Sequence, residues 1–245
     1  MLKLSGAIMR ILGIIPARSG SKGVPRKNIK MLGDRPLIQY SIDSALESTL
    51  LSSCCLSSDD DEIIDYVART PVEVPFKRPA QLSEDTSTSL GVIKHAISFY
   101  ADKGEHYDAI CLLQPTYPFR EQGMLDGAIE KFIDLGADSL ISVLPVPHHF
   151  NPHWVFEPGA NADYLNIATG EPQIISRRQD LPEAYYRDGA IYIAKTELVM
   201  QQNTLLGKQL SYFESDINRY VNIDLPEDWV YAERKLAKLR LYKKA

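Results

Sequence analysis

The 245-residue chain predicts an α/β fold, a mainly parallel sheet with helices on both faces. Three observations lead there. Short apolar runs alternate with segments whose apolar residues recur at helical spacing. The runs are continuous rather than alternating, as in strands buried on both faces. Polar loops rich in Gly and Pro follow several of them, at the carboxyl ends where such sheets bind ligands.

Ile11 to Pro16 reads as the first strand. Pro36 suits a first helical position, and Leu37, Ile38, Ile42, Ala45 and Leu46 then share a stripe. Ser53 to Ser57 reads as the second strand, Glu62 to Ala68 as a short helix and Val72 to Phe76 as the third strand. Thr86 to Tyr100 places Leu90, Ile93, Ile97 and Tyr100 in phase, with Asp85 the expected N-cap. Ala109 to Leu113, Gly123 to Leu135 and Ser139 to Val146 continue the rhythm as strand, helix and strand.

The rhythm breaks between Pro145 and Tyr186, where Pro147, Pro152, Pro158, Pro172 and Pro182 fall. We expect one domain over 1–245 with an excursion at about 145–186: a hairpin, a lid or a dimerisation arm. Ala190 to Ala194 and Tyr220 to Ile223 resume the sheet. Pro226 opens a last helix with Trp229, Ala232, Leu236 and Leu239 in phase.

The net charge of −5 offers no global field for nucleic acid, so any polyanion site must be local. No apolar run approaches the roughly 20 residues of a membrane span, and Met1 to Arg10 lacks the apolar core of a signal peptide. Three cysteines, Cys54, Cys55 and Cys111, make neither a disulfide framework nor a zinc site. The chain reads as cytoplasmic, with no membrane and no nucleic-acid partner.

Against that acidic background, the loop after the first strand is basic: Arg18-Ser19-Gly20-Ser21-Lys22-Gly23-Val24-Pro25-Arg26-Lys27-Asn28. Gly20 and Gly23 let backbone approach an anion, and Arg18, Lys22 and Lys27 can bind phosphate. The order is not that of a Walker A loop, and a solvated surface turn is the competing reading. Nucleotidyl transfer needs positioning and charge neutralisation. Arg18 and Lys27 suit the second task, with the amides of Ser19 to Gly23 gripping phosphate oxygens.

Four further segments carry candidates. Arg78 and Ser89 bracket Pro79 to Thr88, where helix capping accounts for Asp85 and Thr86 but not for Arg78. Gln114 follows the fourth strand in a loop made rigid by Pro115 and Pro118. Arg178 and Arg187 offer forks that suit a carboxylate, with a surface hairpin as the alternative. Asp224 ends Tyr220 to Asp224 just before a helix, a place for a Mg²⁺-binding carboxylate or for a simple cap. His148, His149 and His153 lack zinc spacing.

Together these motifs resemble the acylneuraminate cytidylyltransferase family, which includes CMP-sialic acid, CMP-pseudaminate and CMP-legionaminate synthetases. The carriers are IIPARSGSKGVPRKN, RPAQLSEDTSTS, LLQPTYPFR, RDGAIYI and NIDLPEDW, in family order from Ile14 to Trp229. The resemblance implies a Rossmann-like nucleotidyltransferase fold with a mainly parallel sheet and a protruding dimerisation or lid segment, usually in a homodimer. It implies CTP and Mg²⁺, and a nine-carbon α-keto acid sugar whose anomeric hydroxyl takes CMP with release of pyrophosphate. On these positions Arg18, Lys27 and Asp224 are the expected catalytic groups. Ser19, Gly20, Ser21 and Asn28 join Arg18 and Lys27 around CTP, and Arg78 and Ser89 hold cytosine and ribose. Gln114, Arg178, Tyr186 and Arg187 face the sugar, and Asp224 binds the metal.

Three departures bear on substrate. Asn222-Ile223-Asp224 stands where sialic acid enzymes show Asp-Ile-Asp, and Tyr117 replaces a serine in Gln-Pro-Thr-Ser-Pro. Tyr186 aligns with a sugar-facing arginine, with Arg187 one place later. The last two changes suggest an acceptor other than N-acetylneuraminate, such as pseudaminate or legionaminate. A cytidylyltransferase for the eight-carbon sugar Kdo is the rival enzyme. A silent nucleotide-binding regulatory subunit, encouraged by Asn222, is the rival of another class.

Overall fold

The computed structural model describes residues 3–4 and 7–242. Val143–Arg187 form one compact unit, and the other described residues form a larger one. The larger unit is built on β1 (Ile11–Pro16), α1 (Leu37–Glu47), β2 (Ser53–Ser57), α2 (Asp61–Val67), α3 (Ser89–Asp102), β3 (Ala109–Leu112) and α4 (Met124–Asp134). β4 (Ser139–Pro145) and β5 (Tyr185–Lys195) run out of and back into it, followed by α5 (Thr196–Gln202), β6 (Leu210–Glu214) and α6 (Pro226–Tyr242). The six strands lie in the order β6-β4-β5-β3-β1-β2.

β1 is parallel to both neighbours, Ile14 pairing with Cys55 on β2 and with Leu112 on β3. Its side chains alternate between two cores. Ile11 and Ile15 pack with Ile38, Ile42, Ile129 and Phe132 on one face, and Leu12 and Ile14 with Ile93, Ile97 and Leu198 on the other. Each such aliphatic residue, fully buried, contributes about 1.5–3 kcal/mol. Gly13 leaves room for β2: a Cβ there would lie 3.0 Å from the Cys54 sulfur.

Three expected features differ. β5 is antiparallel to β3, because no helix crossover joins it to β4 and nothing imposes the parallel sense. Val72 to Phe76 is not a strand; Glu73 alone bridges Cys55, since Pro75 lacks the N–H needed to extend the ladder. Tyr220 to Ile223 is not a strand either, and the Ile223 amide instead donates to the Thr116 carbonyl at 2.9 Å. A third core explains that segment: Val221 and Ile223 pack with Val24 of the basic loop, Phe119, and Trp229 and Ala232 of α6. The C-terminal part of the chain is thereby seated against the loop after β1.

In the smaller unit, Phe156–Pro158 and Leu165–Ile167 form a two-stranded antiparallel ladder flanked by single-turn helices. No helix among the described residues is long and apolar enough to cross a membrane.

Candidate active site

The loop after β1 is a built structure. The Ala17 amide donates to the Ser57 carbonyl at 2.9 Å, continuing the β1–β2 ladder by one residue. Asn28, buried, donates from Nδ2 to the Arg18 carbonyl at 3.2 Å and ties the loop's two ends together. Asp59, just past β2, accepts from the Ser19 amide at 3.0 Å and the Ser19 hydroxyl at 2.6 Å. Partial burial would raise the Asp59 pKa, but the two Ser19 bonds and the nearby Arg78 charge outweigh it and hold the carboxyl below its usual range. Arg26 closes the turn in the left-handed region at φ +52°, unusual for a residue with a side chain, and pairs with Glu62.

The two glycines of the loop differ. A Cβ on Gly20 would meet nothing within 4 Å, whereas one on Gly23 would lie 1.8 Å from the Asp224 carbonyl oxygen. Gly23 is therefore a packing glycine that lets the loop rest on the Asp224 backbone, and Gly20 borders open space.

The cations are already engaged. Lys27, its side chain 11% exposed, donates from Nζ to the Ile223 carbonyl at 2.6 Å and to Asp224 Oδ1 at 3.1 Å. Arg18 Nη1 donates to the Glu84 carbonyl and contacts Asp85 Oδ1, both at 3.1 Å, while Lys22 Nζ lies 2.6 Å from Asp85 Oδ2. Lys22 foremost, then Arg18, holds the Asp85 carboxyl below its ordinary range. These exposed pairs are screened by water and cost little to exchange for another anion. Asp85 is thus not the cap of α3; Thr88 is, accepting from the Gly91 amide at 3.2 Å, and Ser89 opens the helix with its side chain exposed.

Asp224 does not cap α6. Its Oδ1 meets Lys27 and its Oδ2 accepts from Asn222 Nδ2 at 2.6 Å, while Asp228, in the first turn of α6, accepts from the amides of Asp224 and Leu225 just ahead of the helix. Among the described residues no group of three or more His, Cys, Asp or Glu is placed to hold a metal ion. Asp224 beside this basic loop is a donor set of the size Mg²⁺ takes, one or two protein carboxylates with the rest of the shell filled by other oxygens and water.

Arg78 is buried, its Nε donating to Ser57 Oγ at 3.0 Å and its Nη2 to the Ser57 carbonyl. Burial pushes its pKa down to about 10, against the pull of Asp59, so it stays a cation at neutral pH. The sequence pointed to Arg78 as a ligand contact but held no sign of this anchoring to the end of β2.

Gln114 is half-buried at the end of β3. A Cβ on Gly189, a residue at φ +86°, would lie 3.3 Å from Gln114 Oε1 and 3.9 Å from Asn222 Oδ1. Lys27, Asp224, Asn222, Gly189 and Gln114 therefore form one continuous row. Tyr117 is not part of it. Its side chain is 1% exposed, packed in the core against Tyr220, so it cannot face a sugar in this structure.

Two buried charges beside the row escaped the sequence reading. Arg120 donates to the Gln114, Tyr117 and Ala190 carbonyls and to Ser41 Oγ, and burial pushes its pKa down to about 10. Asp188 accepts from the hydroxyls of Ser142 and Ser215 and from the Ala190 amide at 2.9 Å. The signal for both was present only as a charge inside an apolar stretch, Pro118-Phe119-Arg120 and Asp188-Gly189-Ala190-Ile191.

Arg178, Tyr186 and Arg187 belong to the smaller unit. Arg178 is exposed and contacts the His148 ring; Tyr186 is half-buried and Arg187 exposed at the start of β5. The larger unit alone thus brings together Arg18, Ser19, Lys27, Asn28, Gln114 and Asp224.

Comparison with known proteins adds an independent line. A family model described as cytidylyltransferase matches residues 12–245. The chain is 34% identical over 230 residues to a pseudaminic acid cytidylyltransferase of Campylobacter jejuni, covering 92% of this chain and 95% of that protein. It is 29% identical over 233 residues to a CMP-N,N'-diacetyllegionaminic acid synthase of Legionella pneumophila, covering 92% and 96%. A solved CMP:2-keto-3-deoxy-manno-octonic acid synthetase complexed with CTP superposes with a TM-score of 0.69 over 94% of this chain and 99% of that one, at 14% identity. That last likeness is one of fold.

Proposed function

The chain belongs to the cytidylyltransferase family, and on that premise we propose that it transfers CMP from CTP to the anomeric hydroxyl of a nonulosonic acid and releases pyrophosphate. The observation that carries the reading is the row from Lys27 through Asp224 and Asn222 to Gln114, beside the basic loop that Asn28 and Asp59 tie down. Such a row puts a fixed cation and a carboxylate at one end and a neutral amide at the other. That suits a triphosphate next to a polyhydroxy sugar.

The chemistry asks for little beyond placement. The anomeric oxygen forms a bond to the α-phosphorus, the bond to the pyrophosphate oxygen breaks, and the sugar's proton passes to solvent. Lys27, nearly buried, offers a fixed positive charge to the phosphoryl oxygens. Arg18 and Lys22 exchange Asp85 for phosphate, and the amides from Gly20 to Gly23, that of Ser19 being given to Asp59, orient the chain of phosphates. Arg78 and Ser89 stand for the nucleoside. Asp224 would hold Mg²⁺, which supplies charge neutralisation to the triphosphate when bound. Gln114 is assigned to the sugar within the larger unit, and Arg178, Tyr186 and Arg187 are the smaller unit's own candidates for a sugar contact.

For the acceptor, Tyr117 drops out as an argument because it is buried. What supports a pseudaminate- or legionaminate-like sugar is Tyr186 with Arg187, together with the names carried by the two relatives above. Pyrophosphate release should be followed from CTP and Mg²⁺ with N-acetylneuraminate, legionaminate, pseudaminate and Kdo. Release with legionaminate or pseudaminate is expected, and EDTA should reduce it by about 100-fold or more. CTP binding without release on any sugar would defeat the function; release on N-acetylneuraminate alone would defeat the acceptor.

The smaller unit is also assigned to homodimerisation. Phe150, Tyr164, Leu165 and Ile174 expose 68%, 69%, 65% and 50% of their surface there, apolar side chains that a partner subunit could cover. Sedimentation velocity should return twice the chain mass at micromolar concentration; a monomer would reject the assignment.

A further inference from the structure

Arg120 is the least expected group near the row. It is 8% exposed, yet all five of its hydrogen bonds go to neutral acceptors. Nη2 donates to the Gln114 carbonyl at 2.8 Å and to the Ala190 carbonyl at 2.7 Å, and Nε adds a second bond to Ala190 at 3.0 Å. Nη1 holds the Tyr117 carbonyl at 2.8 Å and Ser41 Oγ on α1 at 3.0 Å. A rigid planar fork can span such a set, whereas an ammonium, a single point, cannot.

The two segments it joins are those that meet in the row. Gln114 carries the half-buried amide, and Ala190 follows Gly189, whose missing side chain makes room for Gln114 Oε1. The Ala190 peptide is gripped from both ends, its amide donating to Asp188 and its carbonyl accepting from Arg120. Filling space would not require this. A buried cation is costly, and an apolar side chain of similar volume often serves stability as well or better.

We propose that Arg120 is a positioning residue for the acceptor: its guanidinium sets the spacing between Gln114 and Gly189, and with it the aim of the Gln114 amide at the sugar. The proposal rests on the reading of Gln114 as a sugar contact. It places acceptor selectivity in part on a side chain that the sugar never touches.

The test is the KM for each substrate in Arg120→Lys, with the wild type run beside it on the four-sugar panel and thermal melts taken on both. The acceptor KM is expected to rise about 10- to 100-fold, the scale of a misplacement near 1 Å, while the CTP KM changes by less than about twofold. Both KM values rising together, or neither moving while Tm falls, would mean that Arg120 serves stability only and would overturn the proposal. If Arg120→Lys does not fold, Ser41→Ala decides. It frees Nη1 of Arg120 from α1 and touches neither Gln114 nor Gly189. A rise in the acceptor KM alone supports the proposal, and an unchanged acceptor KM rejects it. A wild type that releases no pyrophosphate with any sugar would remove the functional reading itself, an outcome distinct from an active wild type with an indifferent variant.

Discussion

Lys27→Ala is expected to lower kcat by about 100- to 1000-fold, the loss that follows removal of one preorganised donor from a water-poor site. The argument rests on how Lys27 is held. Its ammonium is fixed between the Ile223 carbonyl at 2.6 Å and Asp224 at 3.1 Å, and its side chain is 11% exposed. Arg18 and Lys22, by contrast, lie in exposed pairs with Asp85. A charge held in place costs no reorganisation when negative charge develops beside it. Stability should suffer less than turnover. The variant loses one charge-assisted bond to a carbonyl and one half-exposed ion pair, together about 2–3 kcal/mol, or about 4–12 °C in Tm for a chain of this size. Steady-state rates and a melting curve on the same preparation decide it. A purified, folded Lys27→Ala protein turning over within a few-fold of wild type would strip Lys27 of its role.

Gly23→Ala should damage the protein on both counts. Its Cβ would sit 1.8 Å from the Asp224 carbonyl oxygen and 2.9 Å from the Asp224 carbonyl carbon, both backbone atoms that cannot swing aside. Either the loop lifts off Asp224 or the turn before α6 shifts. Each movement also disturbs Val24 and Ile223, which share the third core. Overpacking of this kind costs about 1–3 kcal/mol, a fall of roughly 3–10 °C in Tm. Because the lifted loop carries Lys27 away from Asp224, kcat/KM should drop by about 100-fold as well. Gly20→Ala, facing open space, is the control and should melt within about 1 °C of wild type. Equal behaviour of the two variants would show that the loop does not rest on Asp224 as described.

These two experiments mark the difference between what could be read in the chain and what could not. The basic loop, the end-of-strand glutamine and the aspartate before the last helix were all visible as residue types in telling places. The strands β1, β2 and β3 were visible too, as short continuous apolar runs. Gly20 and Gly23 looked alike on the page, and only packing distinguishes them. Asp85 looked like a helix cap and Asp224 like a metal ligand or a cap, because an acid before a helix is the local signature of a cap. Thr88 caps α3 instead, and Asp85 and Asp224 face cations that come from more than 60 and nearly 200 residues away. Tyr117 looked like a substrate-facing change and is a core residue.

The sequence by itself determined the α/β class, the strands that β1 organises and the chemical character of the site. Those properties depend on side-chain periodicity and residue type, which act over a few residues. Only the tertiary structure decided which cation meets which carboxylate, which glycine packs on the Asp224 backbone, the antiparallel sense of β5, and the seating of Arg120 between Gln114 and Ala190. Those depend on contacts between segments far apart in the chain. Their partners are selected by how the two faces of one sheet and the core under α6 fill with side chains, and no local pattern records that selection.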